Sequence, residues 1–151
     1  MSRRTPLQRR ARQLGVAAVE FAVLLPLLIV LMTAPLFIGR VLWHYTVAQK
    51  AAHDAARYLA TVPEAELRTP GMAPAAVAVA RDIAAAELAD LNLGPYPPGV
   101  TVLCDTAVCS GLALPTNVRV GIQVEMHDPF GYAGDGMLMT VDVQMRYMGT
   151  K

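Results

Sequence analysis

Side chains that commonly carry enzyme chemistry are scarce in this 151-residue chain. Apart from Ser2, the only serine is Ser110, and the sequence has neither a G-x-S-x-G elbow nor a glycine-rich loop that would cradle a phosphate. His44 and His53 lie nine residues apart, which puts them on different faces of a helix. We therefore expect no catalytic residue, no cofactor and no enzyme activity.

Cysteine is equally rare, since Cys104 and Cys109 are the only two, in a C-x4-C spacing. A disulfide between them would close a short loop and contribute roughly 2 kcal/mol to stability. A zinc site would need two further ligands, and only His127 and a few acidic residues are available. We therefore predict a disulfide and no metal site, with metal binding or free thiols as the alternatives.

Acidic residues are absent from the first fifteen positions, which hold five arginines. The rest of the chain has 8 basic and 12 acidic residues, a net charge of −4. The basic character therefore belongs to the N-terminal segment alone. Because the remainder offers no basic patch, we expect no nucleic-acid partner.

Charged residues are almost absent from a long apolar run. Between Val16 and Gly39, Glu20 is the only one. As a helix these 24 residues would extend about 36 Å, enough to cross a ~30 Å hydrocarbon core. The arginines precede the run, so the positive-inside rule predicts a cytoplasmic N-terminus and export of the residues after about 40. Export to an oxidising compartment would favour the disulfide. A cleavable signal peptide is a rival, but Met32 spoils the small-x-small pattern before Pro35.

Helical periodicity continues beyond the apolar run to about Thr61. Apolar residues recur on one face at steps of four and three: Val41, Tyr45, Ala48, Ala52, Ala55, Leu59 and Val62. We interpret this face as covering the domain's own sheet, with an oligomer seam as the alternative. After a connector that contains Pro63 and Pro70, a second helix is predicted from Pro74 to about Leu91.

The last third of the sequence predicts strands. Residues 100–103 are rich in β-branched side chains, and residues 118–126 and 137–147 alternate between apolar and mostly polar positions. Strands that follow helices without a crossover helix predict an antiparallel sheet. The predicted fold class is α+β, in which a long N-terminal membrane-spanning helix continues into a periplasmic domain with a second helix and a small antiparallel sheet.

The junction between the arginines and the apolar run carries a specific pattern. Gly15 is followed by Val16, and Glu20 stands five residues after the glycine, next to Phe21. This pattern resembles the processing site of type IV pilins and pseudopilins. The segment 15–60 looks most like the TadE-like minor pseudopilins of the tight-adherence (Tad, or Flp) pilus system. Further features of that resemblance are Pro26, Gly39-Arg40 and Ala55-Ala56-Arg57.

The resemblance implies a pilin-like chain in three parts: a basic prepilin leader over 1–15, a transmembrane helix over 16–39 and a periplasmic or extracellular α+β domain over 40–151. It implies that a prepilin peptidase cuts after Gly15, so that Val16 becomes the new N-terminus. It also implies that Glu20 acts in subunit assembly by pairing with a neighbour's free N-terminal amine. Phe21 keeps an aromatic ring where major pilins of this system often have tyrosine, and the added domain also argues against a major pilin.

The expected function is therefore that of a minor pseudopilin in the assembly of a type IV-class tight-adherence pilus for surface adhesion. The implied partners are prepilin peptidase, other minor pseudopilins, pilus assembly components and the bacterial inner membrane, which the chain would cross once. Incorporation into the pilus itself is left open. Two alternatives remain: an unprocessed, membrane-anchored periplasmic binding module in which Glu20 is merely interfacial, and a minor pseudopilin of a type II secretion system.

Overall fold

The computed structural model describes residues 6–91, 93, 96–128, 131 and 136–149, and residues 6–17 by their backbone only. The first five residues of the predicted leader lie outside this description. The elements in chain order are α1 (Pro6–Thr61), α2 (Glu64–Leu67), α3 (Ala73–Leu88), β1 (Gly99–Cys104), β2 (Asn117–Met126) and β3 (Met137–Arg146). The α+β class is confirmed, with a long apolar helix, further helices and a three-stranded antiparallel sheet. The chain divides into two compact units, Met1–Arg40 and Val41–Lys151.

In the first unit, α1 exposes its side chains all round. Every side chain over residues 18–32 is exposed. An 18-residue window of this helix reaches a mean hydropathy of 2.6. By length and composition, the helix is therefore able to cross a membrane, as predicted, and this agrees with membrane anchoring.

In the second unit, the same helix is largely buried on one side. Its fully buried residues are small, apart from Leu59: Ala48, Ala51, Ala52, Ala55, Ala56 and Ala60. The predicted apolar face is confirmed over its later positions, including Val62. The prediction that Tyr45 belongs to the buried face is wrong, because Tyr45 is 44% exposed. Burial of the alanines within this unit supports the interpretation that the face covers the domain's own core.

The connector contains a short helix that the sequence analysis did not predict. In α2, the Arg68 backbone N–H donates to the Glu64 carbonyl at 3.0 Å, which closes one α-helical turn. The next helix, α3, has Pro74 in its first turn, as predicted. It ends at Leu88 rather than Leu91, because Leu91 N–H donates three residues back, to the Leu88 carbonyl, in a tighter turn.

The sheet has the order β1-β2-β3, and both pairings are antiparallel. Val120 stands opposite Val102 on one side and Val143 on the other. Alternate residues of the central strand are completely buried: Val118, Val120, Ile122, Val124 and Met126. This confirms the predicted alternation. On the same sheet, β1 is in contact with α3.

Two contacts tie the end of β3 to the end of α1. The Met148 N–H donates to the Ala60 carbonyl at 2.9 Å, and the Tyr147 hydroxyl donates to the Val62 carbonyl at 2.7 Å. Lys50 of α1 also pairs with Glu87 of α3. The sheet and both long helices are thereby joined in one domain.

Candidate functional site

The apolar surface of α1 in the first unit is the most extensive candidate site. Its large side chains are between 41% and 70% exposed: Val19, Phe21, Val23, Leu24, Leu25, Leu27, Leu28, Ile29, Val30, Leu31, Met32, Leu36 and Ile38. Soluble monomers rarely expose continuous apolar patches beyond a few hundred Å². A surface of this kind therefore needs a lipid or protein environment.

Glu20 is exposed within this surface, between Val19 and Phe21. Five residues advance about 7.5 Å along a helix, so Glu20 lies close to Gly15. A carboxylate at the bilayer centre costs about 2.5–3.5 kcal/mol, and less near an interface. Since it is the only charged residue between 16 and 39, Glu20 is the one group in this surface with which an opposite charge could pair.

Gly15 and Val16 both lie within the helical range of α1, where the structure describes their backbone. Glycine inside a helix costs about 1 kcal/mol relative to alanine. Gly15 is therefore a weak point at which the helix can open locally. Cleavage of the bond after it stays a prediction.

Two prolines, Pro26 and Pro35, lie inside α1. Each lacks a backbone N–H and releases the carbonyl four residues earlier. In a bilayer, such carbonyls must be satisfied by local adjustment or by neighbouring groups.

Cys104 and Cys109 form a disulfide in the structure, with their Cα atoms 5.0 Å apart. Asp105, the residue between β1 and the loop, has a φ of 56°. Its carboxylate accepts hydrogen bonds from the backbone N–H groups of Thr116 and Asn117, with the shortest at 2.9 Å. The loop is therefore fixed both covalently and by hydrogen bonds to the start of β2.

The same loop contacts the connector that follows α1. Gly111 has a φ of 76°, and a Cβ atom there would lie 2.6 Å from the backbone of Thr69 and Pro70. Only glycine combines this conformation with such a close approach. The loop exposes Val108 and Leu112, which are 69% and 82% exposed.

On the open face of the sheet, Arg119 of β2 forms an ion pair with Asp142 of β3. The hydrogen bond to Asp142 raises the pKa of Arg119 above its ordinary value. The pair lines a shallow depression over Gly121, together with hydroxyl and amide side chains such as Thr101 and Gln123. This arrangement stabilises the register of the sheet.

Two of the histidines, His44 and His53, lie on α1. His44 is buried on α1, whereas His53 is exposed beside its sequence neighbour Asp54, with 3.8 Å between Nδ1 and Oδ1. Among the residues that the structure describes, no three His, Cys, Asp or Glu side chains come together in a way that could hold a metal ion.

The first unit thus has an exposed apolar helical run with a single carboxylate near the start of that run, and the second is a small α+β domain with a disulfide. Residues 15–57 match the family of TadE-like proteins. The match begins at Gly15, includes Glu20 and Phe21, and ends at Arg57. The resemblance is therefore confirmed over this TadE-like segment, which suggests a protein associated with the Tad pilus and its assembly components. Neither the curated proteins nor the solved structures contain a significant match to the chain.

Several exposed apolar residues next to the apolar run of the TadE-like segment were not predicted from the sequence. Trp43 is 66% exposed and Leu42 is 58% exposed, close to the point where the second unit begins. A signal was available, because tryptophan and tyrosine directly after an apolar run are typical of membrane interfaces. Leu138, at the start of β3, had no such signal, since its surroundings depend on the tertiary fold.

Proposed function

We propose that this protein is a minor pseudopilin of the tight-adherence pilus system. In this proposal it is anchored in the bacterial inner membrane by residues 16–39, with its N-terminus cytoplasmic and residues 40–151 on the periplasmic side. A prepilin peptidase removes residues 1–15, and the processed subunit takes part in assembling a pilus that mediates surface adhesion.

The observation that carries the proposal is Glu20. It is exposed in an otherwise uncharged apolar surface, five residues after Gly15, within the segment that matches TadE-like proteins. A solitary span gains nothing from a carboxylate in this place. A processed subunit does gain, because cleavage gives each chain a cationic amine at Val16 that can pair with a carboxylate of another subunit.

The mechanism is packing rather than catalysis. The large exposed side chains of α1 are first covered by lipid and, on assembly, by the helices of neighbouring subunits. Pairing between Glu20 and an incoming amine removes an unpaired charge from the membrane, and hydrogen bonds to charged groups are worth about 1.5–3 kcal/mol. The remaining pilus assembly components supply the energy for assembly.

Replacement of Glu20 tests the proposal in a strain that builds such pili and lacks its own copy of this gene. Glu20→Gln keeps the shape of the side chain and removes its charge, whereas Glu20→Asp keeps the charge. Asp90→Asn is the matched control, because it removes an exposed carboxylate outside the apolar surface. The measurements are the amount of this protein in the membrane and the amount of pilus in the sheared fraction.

We expect all variants to reach the membrane, and Asp90→Asn to support piliation as the wild type does. Glu20→Gln should abolish piliation, and Glu20→Asp should restore part of it. Normal piliation with Glu20→Gln would contradict the assembly role and favour an unprocessed periplasmic binding module. Piliation that is normal without this gene, combined with a defect in protein secretion, would favour a type II secretion pseudopilin.

A further inference from the structure

An apolar groove lies where the chain enters the second unit. It is lined by Val41, Leu42 and Tyr45 of α1 and by Met137, Met139 and Thr140 of β3. The only hydroxyl groups among its lining side chains are those of Tyr45 and Thr140. The groove therefore shows that the start of β3 lies beside the first residues of α1 in this unit.

Large exposed side chains line the groove or directly adjoin its lining residues in the chain. Leu42, Trp43 and Leu138 are between 58% and 66% exposed, and Tyr45 is 44% exposed. Leu138 follows Met137 on β3 and points to the other face of the strand. We call Leu42, Trp43, Tyr45, Met137 and Leu138 the entry face.

At the opposite end of β3, the chain is hydrogen-bonded to the end of α1. There, the backbone of Met148 and the hydroxyl of Tyr147 bond to carbonyls at the end of α1. β3 therefore runs alongside α1, from the entry face to the end of the helix. The disulfide loop, which precedes β2, lies at that far end, because β2 is antiparallel to β3.

Position and composition together identify what covers the entry face. Leu42, the first residue of the entry face, is three residues beyond the apolar run 16–39, so the helical part of the entry face follows closely after that run in the chain. Tryptophan and tyrosine favour the boundary between headgroups and acyl chains, where an apolar ring and a polar group are both satisfied. Leucine and methionine side chains beside them favour the hydrocarbon just below.

We propose that the entry face rests in the interfacial layer of a lipid bilayer. The domain then has a second membrane contact, contributed by β3 as well as by α1, at the depth where interfacial helices bury their apolar faces. This inference rests on the proposed function only in that residues 16–39 must be inserted in the membrane. It adds that the folded domain is held against the bilayer before assembly.

The experiment uses tryptophan fluorescence, for which the chain is well suited because Trp43 is its only tryptophan. The full-length protein is reconstituted in vesicles of phosphatidylcholine whose acyl chains are brominated close to the headgroup, or in unbrominated vesicles. In a Trp43→Phe background, Leu138→Trp places the reporter on the entry face. Leu112→Trp is the matched control, because Leu112 is also highly exposed but lies on the disulfide loop.

Quenching of Trp43 in the wild type establishes that the span is inserted. We then expect Leu138→Trp to lose fluorescence to a similar extent in brominated vesicles, and Leu112→Trp to lose none. Thr140→Trp, two residues further along the same face of β3, provides a second reporter if Leu138→Trp does not fold, and it should be quenched less than Trp43.

Three results would overturn the inference. If Trp43 is quenched but the reporters at 138 and 140 are not, the domain does not rest on the bilayer, although the membrane anchor of the proposed function survives. Equal quenching at positions 112 and 138 would mean that the domain contacts lipid without using the entry face. Absence of quenching at Trp43 would remove both the inference and the anchor on which it rests.

Discussion

One continuous helix presents two different apolar surfaces in the two units. Over residues 18–38, α1 carries large side chains such as Leu27 and Val23, which are 67% and 70% exposed. Over residues 48–60, its apolar side chains are mostly alanines, and they are almost completely buried. Hydropathy is favourable to burial in both regions, but the size of the side chains differs.

The two regions differ in the size of their side chains rather than in their hydropathy. Side-chain size therefore distinguishes the exposed region from the buried one. Alanine lets a helix approach a neighbouring helix or sheet closely, so the second region is covered within its own domain. Large side chains that stay mostly exposed on a helix need an apolar environment. The account therefore predicts that the two regions respond differently to the same substitutions.

The largest difference should come from truncating one leucine in each region. Leu59→Ala removes a fully buried side chain and should lower the free energy of unfolding of the domain by about 2–5 kcal/mol. Leu27→Ala truncates an exposed side chain in the other unit and should leave that free energy unchanged. Urea unfolding of the detergent-solubilised protein, followed by pulse proteolysis, measures both. Equal losses in the two variants would remove the distinction between the regions.

The disulfide should have the next largest effect, and it acts on the second unit alone. Replacing both Cys104 and Cys109 by alanine should cost roughly 2 kcal/mol, because the unfolded chain regains the freedom of a short loop. A reducing agent should destabilise the wild type by a similar amount and leave the double variant unaffected. If reduction leaves the unfolding midpoint of the wild type unchanged, the disulfide does not stabilise the domain.

A smaller effect is expected where β3 meets the end of α1. Tyr147→Phe removes the hydrogen bond to the Val62 carbonyl and should cost about 0.5–1.5 kcal/mol. Burial raises the pKa of Tyr147 above its ordinary value, and the negative charge of Glu64 adds to the increase. The neutral phenol is therefore favoured in the folded state, and its contribution is complete below the ordinary pKa of about 10.

This shift gives the tyrosine prediction a pH dependence. As the pH rises above about 10, the phenol ionises in the unfolded chain first, and the contribution is lost as the pH passes through the folded pKa. The stability difference between the wild type and Tyr147→Phe should therefore shrink at alkaline pH. A difference that is constant or grows over this range would show that the phenol is not held neutral by the fold.

The smallest effect should come from Lys50, which pairs with Glu87 across α1 and α3. The hydrogen bond to Glu87 raises the pKa of Lys50, but Lys50 is exposed, so water and salt screen the pair. Lys50→Met should lower the unfolding midpoint less than Leu59→Ala, the double cysteine variant or Tyr147→Phe does. The difference should vanish in about 1 M salt, where the Debye length is about 3 Å. A large loss that persists in about 1 M salt would mean that the Lys50 side chain stabilises the domain by something other than an exposed ion pair.

Sequence patterns were sufficient to predict the buried residues of those elements in which burial is periodic. The alternation in β2 predicted which residues face the core, and Ala48 to Leu59 predicted the buried side of α1. The resemblance at Gly15 and Glu20 came from residues close together in the chain. Such features are local, so the sequence displays them directly.

Features that depend on distant residues were not predictable in this way. The helix α2 is too short for a period, and Tyr45 is exposed because the tertiary fold leaves the rim of the groove uncovered. The close approach of Gly111 to Thr69 and Pro70 joins positions about forty residues apart. The pair between Arg119 and Asp142 depends on the register of two strands. In each case the deciding contact is made by the tertiary structure.

The measurement that tests the central claim most directly is the intact mass and N-terminal sequence of the membrane-extracted protein, with and without a co-expressed prepilin peptidase. A prepilin known to be cut by the same peptidase serves as the control for activity. The account predicts that the mature protein begins at Val16 only when the peptidase is present. An intact leader, in cells where the control prepilin is processed, would contradict the pseudopilin assignment.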